Sequence, residues 1–190
     1  VTKHTKPDGS VVQFFYNNLL GISQMIDEAG NIWRYEYMLR GLTTLVIDPE
    51  NGADQYTYDS FTNQMASHTD ALHTTSYAYD DERLLAKITD AAGKTIDYTN
   101  HATLHFWTSR KDENGNVLTR TLDAAGNVTK ITDPLLKDTL FVYNTQGLVT
   151  SWTDRNLKTT NFGYDSYGNL TTMTDPLNKV TTFAYDLAGR

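Results

Sequence analysis

Apolar and polar positions along this chain recur on two scales. Over short distances they alternate. Phe14-Phe15-Tyr16, Tyr35-Glu36-Tyr37, Tyr56-Thr57-Tyr58 and Tyr77-Ala78-Tyr79 each carry aromatic residues at i and i+2, so both rings point to one face of a β-strand. Over longer distances the aromatic pairs return every 21 residues. Tyr16, Tyr37, Tyr58 and Tyr79 are followed in register by Asn100; a single step of 22 leads to Leu122, and Tyr143, Tyr164 and Tyr185 complete the series. Two residues before each of these positions stand Phe14, Tyr35, Tyr56, Tyr77, Tyr98, Arg120, Phe141, Phe162 and Phe183. Self-similarity of this kind marks a repeat architecture.

The turn formers obey the same register. Pro49, Pro134 and Pro176 lie twelve residues after the Tyr position; Gly126, Gly147, Gly168 and Gly189 lie four after it, and Gly30 and Gly93 fourteen after it. An Asp precedes many of these glycines by three, as in Asp27 to Gly30, Asp90 to Gly93, Asp123 to Gly126 and Asp165 to Gly168. Asp at the first turn position accepts from the backbone two residues on, Pro at the second presets φ, and Gly tolerates positive φ. Each unit therefore reads as two short strands and two turns, with the Tyr closing a strand and the Asp opening the next turn. The predicted fold class is all-β: stacked antiparallel hairpins of about 21 residues, one array over 1–190 with about nine units, irregular at 100–121. A lone hairpin is marginal in water, so neighbouring units must stack, and the aromatic columns are expected to form ladders that supply most of the stability.

Two further apolar columns sit nine (Met25, Val46, Ile88, Ile131, Trp152, Met173) and six residues (Ile22, Leu85, Val128, Val149, Leu170) after the Tyr position. Nine and six differ in parity, so either both sheet faces are partly covered or a bulge lies between. The stretch 101–111 carries the extra residue and lacks a glycine turn, which predicts a bulge or longer loop there. The helix-forming residues of 80–93 are read as strand because the register continues through them.

Composition narrows the function. The net charge is −7, with 16 basic and 23 acidic residues and no basic run, a poor match for a phosphate backbone. No cysteine is present, which excludes disulfides and thiolate metal sites, and no apolar run approaches the roughly 20 residues of a membrane helix. Candidate chemistry is sparse. The aspartate columns (Asp27, Asp48, Asp90, Asp112, Asp133, Asp154, Asp175) suggest either calcium ligation or turn capping; Pro and Gly at the turn positions favour capping. His101 and His105 have a ligand-like spacing but lack a third ligand. Asp80-Asp81-Glu82 reads as a solvated turn. No catalytic, cofactor or metal residue is assigned, and no cofactor is expected.

The register resembles that of the YD repeats, also called RHS repeats. Tyr164-Asp165, Gly168-Asn169-Leu170, Thr174-Asp175-Pro176 and Thr181-Thr182-Phe183-Ala184-Tyr185-Asp186 follow that family's pattern. The resemblance is strong over 122–190, moderate over 1–99 and weak over 100–121. It implies a β-ribbon that spirals into a hollow shell around a toxic C-terminal domain in secreted or surface-exposed bacterial proteins. Because the chain opens and closes in mid-repeat, it is read as a piece of a longer parent. The partners so implied are the rest of the shell and its toxin cargo, with no enzymatic activity, nucleic acid or membrane insertion. The self-cleaving segment of some members has no counterpart here. The competing reading is a surface adhesin whose exposed rings bind carbohydrate or a partner cell. Open sheet edges would also favour self-association.

Overall fold

A computed structural model describes residues 1–18 and 21–186; Gly189 lies outside them. Among the described residues the regular structure is all strand. The chain divides into two compact units, 1–95 and 96–190. The first contains β1 (Thr2–Thr5), β2 (Val11–Tyr16), β3 (Ile22–Ile26), β4 (Ile32–Tyr37), β5 (Thr43–Ile47), β6 (Ala53–Tyr58), β7 (Met65–Thr69), β8 (Thr74–Tyr79) and β9 (Leu85–Thr89). The second contains β10 (Thr95–Asn100), β11 (Trp107–Lys111), β12 (Val117–Leu122), β13 (Val128–Thr132), β14 (Asp138–Tyr143), β15 (Val149–Thr153), β16 (Thr159–Tyr164), β17 (Leu170–Thr174) and β18 (Val180–Thr182). Within each unit every strand pairs antiparallel with the next in sequence. This is the hairpin array that the 21-residue period predicts.

The parity conflict resolves as a bulge. In β2 and β3, Phe14 pairs with Met25 and Phe15 with Gln24, but Tyr16 pairs with Ile22, so Ser23 is the extra residue. The same shift recurs at Tyr35–Val46 and Tyr37–Thr43, at Tyr77–Ile88 and Tyr79–Leu85, at Phe141–Trp152 and Tyr143–Val149, and at Phe162–Met173 and Tyr164–Leu170. The bulge brings the columns six and nine residues after the Tyr onto the same face as both aromatic columns. That face is aromatic and aliphatic, while much of the other is threonine and serine. Its hydroxyls pair across strands, as in Thr57–Ser67 at 2.6 Å, Thr69–Thr74 at 2.9 Å and Thr153–Thr159 at 2.8 Å.

In three hairpins the extra residue is a threonine whose hydroxyl donates to a carbonyl of the facing strand: Thr108 to Thr99, Thr129 to Thr121 and Thr150 to Val142, each at 3.2 Å. A bulge leaves its extra residue out of the ladder. The threonine hydroxyl ties the strand together at that point.

One layer of sheet cannot enclose a core, and no described residue is buried. Every ring of the ladder therefore keeps part of its surface in water. Tyr16 remains 44% exposed and Trp152 41%. The ~2 kcal/mol assigned to full burial of a large apolar side chain is realised only in part.

Candidate functional site: the aromatic face and its turns

The two aromatic columns share a face but differ in chemistry. Pairing between successive hairpins is short. β5 and β6 pair only through Leu45–Gln55, Val46–Asp54 and Ile47–Ala53, so Thr43, the first residue of β5, lies beyond the ladder toward β6. The Tyr58 hydroxyl donates to the Thr43 carbonyl at 2.8 Å. The arrangement repeats. Tyr79 donates to Met65 at 3.0 Å, Tyr143 to Val128 at 2.8 Å and Tyr164 to Val149 at 2.8 Å. Each acceptor opens the second strand of the preceding hairpin. The tyrosine column thus locks one hairpin to the next through the hydroxyl at the end of each ring. Burial pushes the Tyr79 and Tyr143 phenols above the ordinary tyrosine value, with minor help from Tyr77 and Asp123 respectively.

Where the column has no tyrosine, the lock changes hands. Leu122 stands in the Tyr position and Arg120 in the aromatic position before it. The Arg120 Nε–H donates to the Trp107 carbonyl at 3.0 Å, and its Nη2 donates to the same oxygen. Trp107 opens β11, so its carbonyl is the counterpart of those at Thr43 and Val128. The guanidinium also lies over the Trp107 ring, 3.4 Å from the centroid, a cation–π geometry. Partial burial lowers the Arg120 pKa from its ordinary value. This role was invisible in sequence, where Arg120 reads as a defect in an aromatic column.

The other column needs rings but not hydroxyls. Phe14, Phe141, Phe162 and Phe183 share that column with Tyr35, Tyr56, Tyr77 and Tyr98. Phe14, Phe141 and Phe162 face Met25, Trp152 and Met173. Tyr37 also lies on the aromatic face. Phe183 and Tyr185 follow β18 and are 39% exposed each. Tyr98 pairs with Arg110. His68 takes the aliphatic place opposite Tyr56, because the preceding turn is one residue longer. It stacks on the Tyr56 ring at 4.8 Å and meets the Asp54 carboxylate at 2.7 Å.

Most turns share one geometry. The Asp27 N–H donates to the Asn31 carbonyl, and the Gly30 N–H to the Asp27 carbonyl. Asp27 Oδ1 accepts from the N–H groups of Ala29 and Asn31, and Oδ2 from the Asn31 side chain. Asp123 and Asp165 do the same with Asn127 and Asn169; Asp90 receives the Ala92 and Lys94 N–H groups. Bonds from the asparagine side chain and then its backbone hold the Asp27 and Asp123 carboxyls below the usual range. The fourth residue is left-handed: Gly30 at φ 85°, Gly93 at 78°, Gly126 at 89° and Gly168 at 88°. Pro49, Pro134 and Pro176 occupy second positions. At Leu136 and Leu157 the left-handed residue is a leucine, with φ 59° and 62°.

Every aspartate so described spends its carboxylate on its own turn. Among the described residues no group of three or more acidic or histidine side chains could hold a metal ion. The stretch 101–111 begins with a six-residue turn, 101–106, like the one at 59–64. His101 opens that turn and His105 is its left-handed residue, φ 56°.

Residues 108–135, 143–180 and 164–190 match the family model described as RHS Repeat. Among solved structures, the chain is similar to the TcdB2-TccC3 complex, with TM-score 0.73 and 14% identity over 99% of this chain and 12% of that one. It is also similar to TcdB2-TccC3-Cdc42 (TM-score 0.71, 13% identity, 94% of this chain and 12% of that one). The Photorhabdus luminescens Tc holotoxin pore gives TM-score 0.54 at 13% identity, over 99% of this chain and 14% of that one. The chain spans about an eighth of the length of these structures. No curated protein matches it.

Proposed function

We propose that this chain, whose residues 108–135, 143–180 and 164–190 match the RHS Repeat model, is a stretch of shell wall that encloses a C-terminal toxin domain of a longer protein. In this reading it performs no reaction. Its partners are the neighbouring repeats of the same shell and the cargo inside, and its parent is secreted or displayed on a bacterial surface. The observation that supports the reading most is the succession of locks between hairpins. Each joins a side chain of one repeat to the backbone of the repeat before, so the array extends without any repeat being special. A wall needs that property and a catalytic site does not.

The test is protease protection of the full-length parent. With the repeats intact, the C-terminal domain should resist digestion at a protease concentration that degrades the isolated domain. Deleting whole 21-residue units from this stretch should open the wall and expose the domain. Equal digestion of the C-terminal domain with and without the repeats would overturn the proposal.

A further inference from the structure

The two long margins of the ribbon carry different residues. Successive strands run antiparallel, so within each unit the turns inside hairpins line one margin and the turns between hairpins line the other. On either margin successive tips lie two strands apart, roughly 10 Å. In the second unit the turns between hairpins at 133–137, 154–158 and 175–179 end in leucine: Leu135, Leu136, Leu157 and Leu177 are 72%, 84%, 80% and 82% exposed. Turns of this class elsewhere place glycine or asparagine at the left-handed position, as at Gly30, Asn51, Gly93 and Asn178, but Leu136 and Leu157 occupy it here. A bulky side chain is strained in that conformation, and holding it out in water gains nothing within the fold. Strain kept at a row of exposed apolar tips points to a partner.

The charges say which. Lys137, Lys158 and Lys179 stand exposed on the same tips, and the Arg155 Nη2 meets Asp133 Oδ2 at 3.0 Å, tying the first two turns together. Asp133, Asp154 and Asp175 accept the N–H groups of their own turns. Four cations thus face three engaged carboxylates, in a chain of net charge −7. The first unit carries the complement. Its turns inside hairpins at 38–42 and 59–64 expose Leu39 and Phe61, 90% each, and the next, 80–84, presents Asp81 and Glu82 to solvent. Arg40 holds the two apolar tips together, donating to the Asn63 side chain at 2.8 Å and the Ser60 carbonyl at 3.3 Å. We propose that the leucine–lysine ridge of one copy docks on the Leu39–Phe61 ridge of a second copy. The ridges share one pitch, so apolar tips of one seat between those of the other while the lysines meet Asp81 and Glu82. The two patches differ, so each docked copy keeps one ridge open and further copies add head to tail.

Sedimentation of the 190-residue chain tests this. Its average mass should rise with concentration between about 1 and about 100 μM, the range of a small interface, and raising the salt from about 0.05 to about 0.5 M should weaken the association severalfold. Leu136→Gly, Leu157→Gly and Leu177→Ser together remove one ridge, and Phe61→Ser removes the apolar centre of the other. Each variant should self-associate at least about tenfold more weakly. Mixed in equal amounts they should recover a dimer and nothing larger, since each keeps the ridge the other lacks. Association that survives in either variant, as pairing through the open strands β1 and β18 would, overturns the proposal. So does a mixture that stays monomeric, or a chain that stays monomeric yet binds vesicles of phosphatidylserine and phosphatidylcholine through its leucine ridge. Should a variant lose its strand signal by circular dichroism, hydrogen exchange of the unsubstituted chain decides: protection at 38–42 and 154–158 that rises with concentration supports the contact, and protection that rises only at β1 and β18 overturns it.

Discussion

Removing the hydroxyl of Tyr143 while keeping its ring separates the lock between hairpins from the packing of the ladder. In Tyr143→Phe the ring still faces Val149, but the Val128 carbonyl, 2.8 Å from the hydroxyl, loses its donor. A hydrogen bond of this kind contributes about 1 kcal/mol net. The half-buried position of Tyr143 lets water reach part of the carbonyl and keeps the loss toward the lower half of that principle's range, about 0.5–1 kcal/mol. Urea unfolding followed by circular dichroism should show this as a lower midpoint with an unchanged slope. By heat, the midpoint should drop by about 1–4 °C. The four locks lie in separate hairpins, so Tyr58, Tyr79, Tyr143 and Tyr164 replaced together by Phe should lose a nearly additive total, roughly 2–4 kcal/mol. The matched control is Tyr35→Phe, in the column where Phe14, Phe141 and Phe162 already occur; it should change stability by less than about 0.5 kcal/mol. If both columns respond equally to losing a hydroxyl, the tyrosines matter only as rings and the lock reasoning is wrong.

Arg120→Phe should destabilise by about 1–3 kcal/mol, since two charge-assisted bonds and a cation–π contact go together; Arg120→Phe with Leu122→Tyr should recover about 1 kcal/mol of that through a restored tyrosine lock, and a double-mutant cycle in urea measures the coupling. Leu136 and Leu157 hold left-handed backbone and are 84% and 80% exposed, so Leu136→Gly and Leu157→Gly should each raise the thermal midpoint, by about 0.5–1 kcal/mol in stability. Gly93→Ala, at φ 78° with open space around a Cβ, should lower stability by about 1 kcal/mol through backbone strain alone. The turn carboxylates of Asp27, Asp123 and Asp165 have lowered pKa values, so their contribution is present above the unfolded value near 3.9 and is lost as pH falls through the folded values. An acid titration by circular dichroism should therefore begin its loss below about pH 4, and Asp123→Asn should remove Asp123's share of the acid response while keeping an oxygen to accept the N–H groups.

The period of 21 residues and the alternation of Tyr-x-Tyr made the all-β hairpin array legible, because both follow from strand geometry. What stayed hidden depends on which residues face each other. The parity of the columns six and nine after the tyrosine left open a sheet covered on both faces or a bulge, and the pairing shows the bulge, with one residue such as Ser23 or Thr150 set aside. His68 stands one residue off the aliphatic column by count, and the one-residue longer turn at 59–64 brings it opposite Tyr56. A single layer encloses no ring completely, and Tyr16 keeps 44% of its surface exposed.

Arg120 and Leu122 show why column counting fails at such places. A column records residue type at a position, whereas the fold requires a donor at the carbonyl that opens the preceding hairpin's second strand. A tyrosine supplies that donor from the end of its own strand, and an arginine reaches the same oxygen from two residues earlier. Seen as a donor requirement, the repeat at 100–121 is not degenerate. It keeps the bond between hairpins by a different side chain and places a histidine where a carboxylate would otherwise open the turn.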